Sequence, residues 1–162
     1  MQTVERALDL KVADAVWVAT AMLHREHSKV EGFTVAEIVA KVKEEGLTEK
    51  EDISLYLHAN QHCVANRAPN QAKLRMLFET QNGLRRLFCP SDPFHAERDG
   101  RVIPKASDLP GHLLPLLRWY EEWCAKRRSR ASTDDPLLAL AGSGKGLWAL
   151  DAVEYVNRLR AE

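Results

Sequence analysis

The chain has 162 residues, with 23 basic and 23 acidic side chains and therefore no net charge. That length admits one sizeable core, or a small domain with an extension, and 45% hydrophobic with 28% charged residues is the balance of a soluble globular protein. No apolar run approaches the ~20 residues of a membrane helix, and a neutral sum counts against a nucleic-acid binder that works by bulk charge alone.

In chain order, residues 8–27 predict an opening helix, because Leu8, Val12, Ala15, Val16, Ala19, Met22 and Leu23 recur at spacings of three and four. Residues 34–45 predict a second, with Val35, Ile38, Val39 and Val42 on one face. Thr34 and Glu37 have the spacing of a capping box, and Gly46 stands where the chain must turn out of the helix. Thr48 and Glu51 repeat the box pattern ahead of a third helix over residues 50–64. There Ile53, Leu55 and Leu57 also alternate, so the register of that helix is open between its faces. Next come two apolar-rich runs, 74–80 and 84–88, flanking Gln81, Asn82 and Gly83. Asn-Gly between such runs predicts a hairpin in which both residues accept positive φ.

Beyond Cys89 the composition shifts to Pro90, Pro93, Gly100, Pro104 and Pro110, which predicts a surface loop running off the domain. A helix is expected over residues 113–126, with Pro115 in its first turn and the basic run Lys126, Arg127, Arg128 and Arg130 closing it. Residues 131–135 predict a polar linker, Pro136 opens a short helix, and Asp151 caps a last one. Two domains are expected: residues 1–92 as the helix-and-hairpin domain and residues 93–162 as a loop with a helical extension. The fold class is mainly α with a small β-hairpin.

Residues 33–88 resemble the winged helix-turn-helix domains of bacterial regulators, in particular those fused to restriction endonucleases and found in chromatin regulators. The carrying residues are the stretch from Phe33 to Ile38, the helix through His62 and Cys63, and the Asn82-Gly83 hairpin ending in Leu87 and Phe88. The resemblance implies DNA binding or chromatin-type docking without catalysis. Residues 134–140, Gly142 and the stretch 155–160 are similar to the tails of some bacterial antitoxins, which implies a segment that binds a partner protein.

A winged helix that reads DNA would use the third helix and the hairpin. The expected contacts are His58, Gln61 and Asn66 toward bases, with Arg67, Lys73, Arg75, Arg85 and Arg86 toward phosphates. Double-stranded DNA is then the expected partner, with a homodimer matching a palindromic site and a protein partner on the C-terminal extension. Charge is unevenly spread: residues 31–60 carry seven acidic and three basic groups, and residues 101–130 carry the reverse.

Other chemistries fare worse. Gly142-Ser143-Gly144-Lys145 fails as a phosphate loop, because Ala139 replaces the leading glycine and Gly146 the Ser or Thr after lysine. His24, His27, His58 and His62 lack zinc-site spacing, so no metal, cofactor or catalytic residue is expected. Residues 1–6 lack the marks of a signal peptide, and Cys63, Cys89 and Cys124 are odd in number and widely spaced. Reduced thiols in a cytoplasm are the expectation.

Overall fold

A computed structural model describes residues 8–134. The chain divides into two units, residues 1–122 and residues 123–162. The expected elements beyond residue 134, including the antitoxin-like tail and the helix capped by Asp151, lie outside the described residues.

The first unit is built around α1, Val12–Glu26. Ala15, Val16, Trp17, Val18 and Ala19 are all fully buried, so the helix is enclosed rather than laid on a surface with one face wet. Two of its buried polar side chains are hydrogen-bonded to backbone. The Thr20 hydroxyl donates to the Val16 carbonyl (2.8 Å), and His24 Nε2 accepts from the Leu87 N–H (3.3 Å). α2, Val35–Glu44, has the expected capping box, with the Glu37 N–H donating to Thr34 Oγ1 and the Thr34 N–H to Glu37 Oε2. Gly46 follows at φ 58°, a left-handed exit that a side chain would strain.

The third helix departs from expectation. α3 is Asp52–Leu57, and His58–His62 continue as a π-helical turn closed by the Cys63 N–H on the His58 carbonyl (2.9 Å). The cause lies in the spacing of the buried side chains, Leu55, Ala59 and Cys63. They recur every four residues, and at 3.6 residues per turn the last would drift about 80° from the first. Widening one turn keeps all three on the inner face. The second capping box also fails to form. Glu51 precedes the helix without a side-chain cap, while Thr48 donates to the Leu10 carbonyl (2.9 Å), tying the loop to the incoming chain.

β1, Leu77–Glu79, pairs antiparallel with β2, Arg85–Leu87, in the register Leu77↔Leu87, Phe78↔Arg86 and Glu79↔Arg85. The strands are shorter than the apolar runs, and the turn differs from the expected one. Only Gly83 has positive φ (77°); its N–H and the Leu84 carbonyl both bond Thr80, making a three-residue loop with glycine in the left-handed position. Phe33 exchanges both backbone bonds with Arg85, adding a third partner to the sheet edge (2.8 and 2.7 Å). The described fold is thus mainly helical with a small antiparallel hairpin.

The stretch after Cys89 does not run off the domain. His95 bonds the Ala65 carbonyl, Gly100 bonds that of Lys73 and the Arg101 carbonyl accepts from Arg75, which ties the stretch back within the first unit. Two 3-10 turns, Ala106–Asp108 and Gly111–Leu113, lead into α4, Pro115–Asp134. Pro115 opens that helix as expected. Its basic run does not close it, because Arg, Ser and Ala continue readily in a helix where a linker was expected. Tyr120 on α4 packs edge-on against Trp17 (5.6 Å between centroids) and donates its hydroxyl to the Phe88 carbonyl.

Gly100 is fixed by space, since a Cβ there would lie 2.4 Å from the Lys73 carbonyl oxygen. Gly100→Ala is therefore expected to cost about 1–3 kcal/mol in urea denaturation. Gly111→Ala, whose methyl would meet nothing within 4 Å, should change stability by less than about 0.5 kcal/mol.

Candidate recognition surface

The residues expected to contact DNA lie on the π turn, on the segment 66–75 and on β2, and their side chains divide sharply. Arg85 is only 2% exposed. It donates to the Ala59 carbonyl (3.1 Å), the Gly83 carbonyl (2.8 Å) and Asn60 Oδ1 (3.1 Å), and pairs with Glu79 at 3.4 Å. Arg86 is 6% exposed and bidentate on Asp92 (2.7 and 2.9 Å), with its guanidinium 4.2 Å above the Phe78 ring. Both expected wing cations thus face inward. The burial is tolerable because the guanidinium N–H groups meet carbonyls or carboxylates.

Arg67 is half-buried and clamps Glu79 with two bonds (2.6 and 2.9 Å). Asn66 places its amide on the Glu79 backbone, donating to the carbonyl (2.9 Å) and accepting from the N–H (2.8 Å), as another strand would. Arg75 donates to the Gly100 carbonyl (3.0 Å) and lies over Phe94. His58 uses Nδ1–H on the Ser54 carbonyl (2.8 Å), with its ring 4.9 Å from that of His62. Gln61 is half-buried, and Lys73 is exposed beside Glu97 and Asp99 in an open cleft of about 440 Å³.

Sequence reasoning missed the residue that organises this region. Arg98 is 1% exposed, and its guanidinium bonds the carbonyls of Gln61 (2.9 Å), His62 (2.9 Å), Arg67 (2.6 Å) and Leu74 (2.8 Å). Burial lowers its pKa, yet guanidinium stays charged at any ordinary pH. Its position in a Pro- and Gly-rich stretch carries no periodic signal.

The outer face of α3 was equally hidden by the ambiguous register. Leu55 is buried, whereas Ile53, Tyr56 and Leu57 are 66%, 44% and 47% exposed. These three stand at i, i+3 and i+4, one face of a helix. Glu49 and Glu51 are exposed just before them and form no ion pair among the described residues. Asp52 pairs with Lys43 at 2.6 Å.

Electrostatics gives the other groups structural roles. Burial pushes the Cys63 thiol up to about 12, far from a working nucleophile. Burial, then the neighbouring His58 and Arg98, lowers the His62 pKa. His24 and His27 flank Phe33 while His58 faces His62, and no group of three or more metal-ligating side chains forms among the described residues. No family model matches the chain, and no curated protein or solved structure matches it either.

Two carboxyls respond oppositely to acid. Hydrogen bonds from Arg67, then the charge of Arg85, hold Glu79 below the usual carboxylate range. Its stabilising contribution is present above the unfolded-state pKa and disappears as pH falls through the folded one. Burial raises Asp14 despite the Arg101 guanidinium 3.2 Å away, so its contribution falls as pH rises through the unfolded value toward the folded one. Glu79→Gln should therefore flatten the loss of stability on acidification between about pH 5 and pH 2, and an unchanged slope would remove Glu79 from the acid response. Arg98→Met strips the donors from four carbonyls and is expected to cost about 3–5 kcal/mol by denaturation, with Arg98→Lys restoring only part.

Proposed function

We propose that this chain is a non-enzymatic recognition protein with a winged-helix domain that docks another protein through the outer face of α3. The observation carrying this reading is an inversion of polarity. Arg85 and Arg86 are folded inward, while Ile53, Tyr56 and Leu57 face out on the helix that would otherwise approach DNA. An apolar group rimmed by charge is the usual mark of a protein contact. Covering the half of each side chain that is still exposed stabilises a complex by about 1 kcal/mol each, enough for a small hot spot.

A second reading is a DNA-binding transcriptional regulator. It is favoured by the exposed Lys73 and by Lys126, Arg128 and Arg130 exposed along α4, cations of the type that hold phosphates.

One pair of measurements separates the two. A random-peptide library is panned on the full chain, with counter-selection on an Ile53→Ser/Leu57→Ser variant whose fold is checked by circular dichroism. Binding to random duplex DNA is followed by fluorescence anisotropy at low and moderate salt. The expected result is clones that bind the wild type and lose the variant, with weak DNA binding. Tight DNA binding that falls steeply with salt, with no such clones, would establish the second reading over the first.

A further inference from the structure

We infer that the α3 face receives an amphipathic helix with a basic edge, an inference that rests on the docking reading above. Ile53, Tyr56 and Leu57 form a ridge of helical spacing, and such a ridge seats between the side chains of a second helix. From Ile53 to Leu57 the ridge rises about 6 Å, roughly one turn of an opposing helix.

Charge selects among occupants. Glu49 and Glu51 are exposed at the start of the ridge, with Lys50 the one cation between them. Asp52 beside them is paired with Lys43 at 2.6 Å, so the unpaired groups at this end, Glu49, Lys50 and Glu51, leave the rim with a net negative charge. This rim repels a phosphate backbone. A second copy of this face would bring the same net negative charge to the contact rather than its complement. Lysine or arginine along one edge of an apolar helix complements both features at once.

The test uses two fluorescein-labelled helical peptides, one of leucine and lysine and the other of leucine and glutamate. Their anisotropy is followed against the full chain near physiological salt, where long-range attraction is screened. The lysine peptide should bind and the glutamate peptide should not. Ile53→Ser should weaken the lysine peptide about tenfold, and Glu49→Gln/Glu51→Gln severalfold, both in chains with unchanged circular dichroism.

Equal binding of both peptides, or a preference for glutamate, would overturn the basic edge while leaving protein docking intact. So would panning clones without an excess of lysine and arginine. Self-association in sedimentation that Ile53→Ser abolishes would make a second copy the occupant and also overturn the inference. If neither peptide binds and panning yields no α3-dependent clone, the docking reading itself fails.

Discussion

The arrangement of the first unit depends on a buried cation with no carboxylate among its hydrogen-bond partners. Arg98 is answered instead by the carbonyls of Gln61, His62, Arg67 and Leu74. Two of these belong to the π turn, where a helix leaves carbonyls unpaired and the macrodipole is negative. One guanidinium therefore terminates a helix, organises the loop that leads to β1 and fastens the stretch following the hairpin. Its desolvation is offset only while that whole set is in place, so these segments are expected to order together. The fit extends to its neighbours: Gly100 approaches the Lys73 carbonyl too closely for any Cβ, two residues along the chain from the guanidinium.

A second constraint acts on α3 from below. Leu55, Ala59 and Cys63 must share the buried side, and the widened turn lets them do so. Once Leu55 points in, Ile53, Tyr56 and Leu57 have no choice but to face out over a six-residue helix. The same turn brings the Ala59 and Asn60 carbonyls to Arg85. The outward apolar ridge and the inward hairpin arginine are thus two consequences of one backbone irregularity.

This explains what was legible beforehand. Strong local rules could be read directly: the Thr34–Glu37 box, Gly46 at the helix exit, Pro115 at a helix start and the hairpin itself. Each depends on residues within a few positions of one another. The failures share a different property. Thr48 abandoned its capping pattern for the carbonyl of Leu10, Arg85 found the carbonyl of Ala59, and Arg98 gathered carbonyls from 24 to 37 positions away. A side chain's partner across the fold cannot be read from its own neighbours in sequence. Arginine is especially misleading in this respect, because the same residue serves a phosphate or a ring of carbonyls equally well.

The neutral sum of charges is misleading for the same reason. Among the described residues, Lys41, Arg85, Arg86 and Arg98 are buried, against the single buried carboxylate of Asp14. Each of those cations is answered inside the fold and is withheld from any partner, whereas Glu49 and Glu51 remain at the surface. A chain with equal numbers of acids and bases can thereby present an acidic face, since folding chooses which charges solvent meets. Around α3 that choice withdraws Arg85 and leaves Glu49 and Glu51, with Lys50 between them, beside an apolar ridge. Recognition there is governed less by how many charges the sequence contains than by which of them the core has already consumed.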